Sequence, residues 1–177
     1  MSKHDEKFIA HLKSLKERDR GALATLRHSL AFAPGTYPQA FPYVERFAGV
    51  DSHERDARRL ALYAVAGLFA RHPAQASASF ATAFGELMRR RGSASIEKRF
   101  LALLGADAEN VFEYLKQAIS LLAADGPGCN YAQLLNDLSS WLNPNLHEQR
   151  DRLRQRWARD FYRALRSVSE TENTLTE

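Results

Sequence analysis

Cysteine is almost absent from this chain: Cys129 stands alone among 177 residues. A single thiol excludes an internal disulfide and any cysteine-based metal cluster held within one chain, and it fits a reducing compartment. Long apolar runs are missing too. The longest near-apolar stretch, Leu60 to Ala70, falls well short of the ~20 residues a membrane helix needs. The amino-terminal stretch MSKHDEKFIAHLKSLKERD is charged and amphipathic and has no apolar secretion-signal core. A cytoplasmic location with no membrane partner is expected. Period-two alternation of β-branched residues is equally scarce, which argues against a sheet-built fold.

Catalytic signatures are thin. Gly126-Pro127-Gly128 is not followed by a Lys-Ser/Thr pair, so no phosphate-cradling loop is present. The six histidines, His4, His11, His28, His53, His72 and His147, include no pair at helical ligand spacing around a glutamate. His4 and His11 lie two helical turns apart and read as solvated surface groups. Asp107 and Glu109 open a helix, where negative charge complements the helix dipole. Cys129 follows a Gly-Pro-Gly turn and reads as a small loop residue rather than a reactive thiol. No catalytic role, no cofactor and no metal site are expected.

What remains is a globular, helical protein. Apolar residues make up 45% and charged residues 26%, enough for a core and ordinary for a soluble domain. Apolar residues recur at helical spacing in about nine segments, cut by turn residues. Phe8, Leu12 and Leu15 share a face of the first, over about 5–16. Asp19 caps the second, which ends before Pro34-Gly35, and a short third covers about 41–47. Ser52 is the expected cap of the fourth, which reaches Arg71 before Pro73. The fifth spans about 78–90 and the sixth about 96–104. Asp107 starts the seventh, Asn130 caps the eighth, and the last runs over about 146–166.

The expected class is all-α, with two small helical bundles of five and four helices packed together. The connector Arg91-Gly92-Ser93-Ala94 divides them into lobes at 1–92 and 93–166. A polar, acidic and disordered tail is expected at 167–177. Trp141 and Trp157 fall on apolar faces and read as core anchors.

Charge gives the positive signal. The chain carries 25 Lys+Arg against 21 Asp+Glu, net +4. Ser167 to Glu177 holds three acids and no bases, so the body alone carries 25 against 18, or +7. A basic body favours a polyanion partner only weakly; placement has to carry the rest. On a helix advancing ~100° per residue, Arg152, Arg156, Arg159, Arg163 and Arg166 fall within roughly 40° of one line. Leu146, Leu153, Trp157, Phe161, Ala164 and Leu165 take the opposite side. Like charges at this spacing repel by ~0.2–0.5 kcal/mol per pair. A phosphate backbone would neutralise the row, since the guanidinium fork bonds phosphate bidentately. A solvated helix face is the alternative. Arg150 and Arg154 fall on the apolar side and are expected to pair with carboxylates of another helix or to face a partner.

Other bases are grouped more loosely. Arg55, Arg58 and Arg59 open the fourth helix, interleaved with Glu54 and Asp56, so local ion pairing explains them as well as ligand contact does. Arg20, Arg27 and His28 lie along the second helix, and Lys98 and Arg99 lie on the sixth. Arg89, Arg90 and Arg91 end the fifth, where the helix dipole accounts for them. Bases spread this way suit a groove tracking a strand rather than one base-reading helix.

Three stretches resemble a known family. Arg20-Gly21-Ala22-Leu23-Ala24-Thr25-Leu26-Arg27 is similar to its RGxLAxLRR segment. Glu97-Lys98-Arg99-Phe100-Leu101-Ala102-Leu103-Leu104 is similar to ERRFxxLL. Tyr131 to Leu138 with Trp141, then Trp157-Ala158-Arg159-Asp160-Phe161-Tyr162, resembles DWxxLxxDLxxW followed by WARDFY. The family is the CasB-type small subunit of the type I-E CRISPR surveillance complex, Cascade. The resemblance runs over about 5–166 in order and spacing.

It implies a two-lobed helical protein without catalysis, present in two copies beside the guide-RNA backbone filament and the large subunit. It also implies basic surfaces offered to guide RNA and target DNA, notably the displaced strand. Arg27 matches the first base of the family's pair, with His28 at the second. Lys98 and Arg99 match the pair in the ERR segment, and Arg159 matches the base in WARDFY. Tyr131 stands where Trp is usual, and Asn130 where Asp is. The candidate nucleic-acid-binding set is therefore Arg20, Arg27, His28, Arg55, Arg58, Arg59, Lys98, Arg99, Arg152, Arg156, Arg159 and Arg163. The alternative is a helical protein-interaction scaffold with no nucleic-acid contact.

Overall fold

A computed structural model of the chain describes residues 2–166. The tail expected at 167–177 lies outside the described residues. Among the described residues there are nine α-helices and no strands: α1 (Lys3–Arg18), α2 (Arg20–His28), α3 (Phe41–Val44), α4 (Ala57–Arg71), α5 (Phe80–Arg91), α6 (Ala94–Leu104), α7 (Val111–Asp125), α8 (Tyr131–Leu142) and α9 (His147–Arg166). Short 3-10 turns follow α2 at Ser29–Ala31 and flank α3 at Pro38–Ala40 and Glu45–Phe47.

Local chemistry sets the helix starts. Ser2 and Asp5 form a capping box: the Ser2 hydroxyl accepts from the His4 amide, and the Ser2 amide donates to Asp5. Asp19 caps α2 at 2.9 Å from the Ala22 amide, and Asn130 caps α8 at 3.0 Å from the Gln133 amide. Two expected starts fall elsewhere. Asp56, not Ser52, caps α4 by accepting from the Arg59 amide; Ser52 instead closes a turn onto the Gly49 carbonyl. Asp107 holds a turn through the Glu109 and Asn110 amides, and α7 begins only at Val111. In both cases a side-chain-capped turn competes locally with the first helical turn.

α4 is the central helix. Every residue from Ala61 to Ala70 is buried, because α4 packs against α1, α2, α7 and α8 at once. Its many small residues let neighbours approach closely; Leu30 packs directly over Gly67. The helices fall into two groups compatible with two bundles. α1, α2, α4 and α8 pack together, and so do α5, α6, α7 and α9, with contacts of α4 on α7 and of α8 on α9 joining them. The first group thus takes α8 from beyond the connector at Gly92, and the second takes α5 from before it. Gly92 ends α5 in the left-handed conformation at φ 59°.

One contact fixes the second group most tightly. A Cβ added at Gly85 on α5 would sit 2.5 Å from the Phe161 carbonyl oxygen on α9, so only glycine allows this approach. The segments 74–78 and 129–130 zip together in the same way: the Cys129 amide donates to the Ala74 carbonyl, and the Ala76 amide donates back to the Cys129 carbonyl. Aromatic rings fill the seam. Phe100 stacks on Phe161 at 4.0 Å, and Trp157 lies 5.2 Å from both Trp141 and Phe80. Both tryptophans are buried anchors, as expected. Each such ring stabilises the fold by about 1.5–3 kcal/mol through burial.

Candidate nucleic-acid interface

α9 is held by its apolar face, with Leu153, Trp157, Phe161 and Ala164 buried. That leaves the arginine row on its other side. Arg152, Arg159, Arg163 and Arg166 are exposed. Arg152 reaches Glu148 at 3.5 Å, with both side chains largely in water, so the pair adds little. Two shallow grooves run along the helix. One lies against α8, between Asn136, Ser140, Gln149, Arg152, Arg156 and Arg159. The other is lined by Ala158, Arg159, Tyr162, Arg163 and Arg166. Arg159 belongs to both, so the row is continuous.

Arg156 differs from the rest of the row. It is half-buried and forms an ion pair with Asp137 of α8, a residue only 4% exposed. The same carboxylate accepts from the Trp157 indole at 2.8 Å. Arg156 thus lines the groove while fastening α9 to α8. Arg150 and Arg154 do not meet the interhelical carboxylates expected for them. Arg150 donates to the Trp141 and Asn143 carbonyls. Arg154 donates to the Ala106 carbonyl and lies over the Trp141 ring, with Asp151 one turn back as its ion-pair partner. The reason is local: helix ends and turns leave carbonyl oxygens unpaired, and guanidinium groups within reach satisfy them.

The cluster at the start of α4 is largely neutralised. Arg58 pairs at 2.5 Å with Asp5, which is buried. Arg59, 8% exposed, makes two bonds to Glu45, donates to the Glu54 carbonyl and lies 4.8 Å over the Tyr63 ring. The Arg59 hydrogen bond holds the Glu45 carboxyl below its ordinary pKa, while burial and the bond to Glu45 push the Tyr63 phenol up. The partners are not the adjacent acids Glu54 and Asp56 but acids far away in sequence. Arg55 remains exposed.

On α2, Arg20, Arg27 and His28 are exposed, with the Arg27 Nε donating to the Ala70 carbonyl at the end of α4. On α6, Lys98 and Arg99 are exposed, and Arg99 donates to Gln117. Arg99 and Gln117 line a groove with Glu113, Lys116 and Ser120 of α7. Lys116 was not among the residues expected to contact nucleic acid. Its amine reaches the Leu30 carbonyl across the fold, and only its i,i+3 spacing from Glu113 could have flagged it.

Among the described residues no group of three His, Cys, Asp or Glu side chains could hold a metal ion. Cys129 is buried, and burial pushes its thiol up to about 12, so it is not a thiolate nucleophile at neutral pH. No described helix is long and apolar enough to cross a membrane.

Comparison with known proteins matches this arrangement. A sequence profile for CRISPR-associated protein Cse2 matches residues 22–162. A CRISPR-associated protein Cse2 of Thermus thermophilus is 41% identical over 174 residues, 96% of each chain. A crystal structure of a Cse2-family protein from the same organism is also 41% identical, with a TM-score of 0.76 over 92% of this chain and 99% of that one. The crystal structure of M. ruber CasB is 31% identical, with a TM-score of 0.74 over the whole of both chains. A chain of a CRISPR RNA-guided surveillance complex, 20% identical, shares the fold with a TM-score of 0.78 over 96% of this chain and 97% of that one. With the profile spanning most of the sequence and a relative of such identity along nearly all of it, the chain belongs to the CRISPR-associated Cse2 family, whose crystallised members include CasB.

Proposed function

We propose that the chain is the small, non-catalytic subunit of a CRISPR RNA-guided surveillance complex, and that it binds nucleic-acid backbone without reading sequence. The partners are guide RNA and target DNA, the displaced strand in particular, together with the guide-RNA backbone filament, the large subunit and a second copy of itself. The observation that carries the nucleic-acid reading is the exposed row Arg152, Arg159, Arg163 along α9, continuous through two grooves. Family membership supports the assembly. The grooves are shallow and lined by guanidinium groups, which suits phosphates tracking along a surface rather than an enclosed small molecule.

The test is binding of the purified chain to unrelated single- and double-stranded DNA sequences across a salt series. Affinity should fall steeply with salt as counterion release loses its advantage. Arg159→Glu with Arg163→Glu should weaken all sequences alike. A strong preference for one sequence would overturn the reading. No binding at low salt would favour the protein-interaction scaffold, with the row facing acidic partner surfaces.

A further inference from the structure

A second feature lies away from α9, where α2 runs into the loop before α3. Phe32 is 42% exposed, an unusual position for a large ring. Its ring stacks on Tyr37 with centroids 4.7 Å apart and planes 11° from parallel. His28, exposed at the end of α2, lies against both rings, at 5.8 Å from Phe32 and 5.4 Å from Tyr37.

The loop is built to hold this stack. The Thr36 amide and hydroxyl both donate to the Ala33 carbonyl. Gly35 turns the chain at φ 79°, and a Cβ there would meet Arg59 at 2.5 Å. Tyr37 is half-buried against the core and backs Phe32 as a fixed surface. The ordering cost of presenting Phe32 is therefore met during folding rather than on binding.

The segment that carries the rings has charge of one sign. From Arg20 to Val44 the sequence contains no Asp or Glu. Arg20 and Arg27 are seven residues apart and share one face of α2, with exposed Ala24 between them. The Arg27 Nε donates to a backbone carbonyl, that of Ala70. On the other side, Lys116, ion-paired with Glu113, approaches the Leu30 carbonyl.

We infer that Phe32, backed by Tyr37 and edged by His28, is a stacking platform for an unpaired nucleobase of a single strand whose phosphates run along Arg20 and Arg27. A base offers a flat π-face that extends an existing ring stack, and its phosphates would meet the bases of this acid-free segment. A duplex keeps its bases stacked inside and offers none to Phe32. The platform therefore gives the chain a preference for single strands without a preference for sequence. This inference rests on the nucleic-acid reading above and adds the residue that engages an unpaired base.

The test compares the parent chain with Phe32→Ala and Phe32→Trp on single-stranded and duplex DNA, with 2-aminopurine placed in the single strand as a stacking reporter. Phe32 is more than half covered by its neighbours, so unfolding midpoints are measured alongside and affinities are compared where parent and variants are all folded. Phe32→Ala should weaken single-strand binding about fivefold or more, the loss that one stacked base implies. Duplex affinity and the salt slope should stay unchanged, and the 2-aminopurine signal change should disappear. Phe32→Trp should restore both. Equal single-strand affinity for parent and Phe32→Ala overturns the platform while leaving the backbone reading standing. Absence of any binding by the parent at low salt overturns the backbone reading and the platform with it.

Discussion

Two arginine clusters that look alike in sequence have opposite fates. At the start of α4, Arg58 and Arg59 are taken up by Asp5 and Glu45. Along α9, Arg159 and Arg163 stay exposed in shallow grooves. The difference lies across the gap rather than in the arginines. α4 starts beneath α1 and the turn after α3, each of which brings an acid to it. Among the described residues no helix covers the outer face of α9. Arg156 makes the same point inside the row: one turn from Arg159, it meets the buried Asp137 of α8 and becomes part of the fold.

The sharpest way to break this comparison is at Asp137. Asp137→Ala leaves the Arg156 guanidinium and the Trp157 indole without their shared acceptor in a buried site. Removing one member of a fully buried ion pair costs about 3–5 kcal/mol; with the Arg156 side chain 40% exposed, the loss expected here is about 2–3 kcal/mol. Urea unfolding should show that loss as a lower midpoint. A variant as stable as the parent would mean that Arg156 is a surface arginine like its neighbours.

The next effect separates the two clusters directly. Arg59→Ala removes charge-assisted bonds and should destabilise the fold by about 1.5–3 kcal/mol, toward the lower end because Glu45 is 46% exposed. Nucleic-acid affinity of the folded variant should stay near that of the parent. Arg159→Ala should do the reverse, leaving stability within about 0.5 kcal/mol and lowering the salt slope by about one. Paired unfolding and binding measurements check both. If Arg59→Ala weakens binding as strongly as Arg159→Ala, the assignment of Arg59 to the fold fails.

The helices were legible in the sequence because each carries a buried apolar stripe and many carry an end signal. α9 shows both its buried Leu153, Trp157 and Phe161 and its row of arginines. What was not legible is pairing over distance. Nothing adjacent to Arg59 announces Glu45, and nothing adjacent to Arg156 announces Asp137. Helical spacing places a charge on a face, but whether an acid stands opposite depends on which helices pack there. The same limit hid the grouping of α8 with α1 and α4. The starts of α4 and α7 slipped because Ser52 and Asp107 both read as caps but close turns instead, and only the path of the chain decides. Phe32 escaped for the opposite reason: an apolar residue in a short run looks like core until its exposure is known.

The smallest effect tests whether Glu45 acts on Arg59 through its charge. Arg59 holds the Glu45 carboxyl below its ordinary pKa. A depressed carboxylate adds stability that is fully present above the unfolded value of ~4.3 and fades as pH falls through the lower folded value. Glu45→Gln keeps an oxygen to accept from Tyr63 or Arg59 but removes the charge. The gap in unfolding midpoint between parent and variant should therefore be constant near neutrality and close below about pH 4. With Glu45 nearly half in water, the gap should correspond to less than about 1 kcal/mol. The Tyr63 phenol, pushed up by burial and by its bond to Glu45, stays protonated through neutral pH, so it adds no slope there. A gap that widens on acidification would mean that burial rather than Arg59 controls this carboxyl, and that the α4 cluster is less neutralised than its geometry implies.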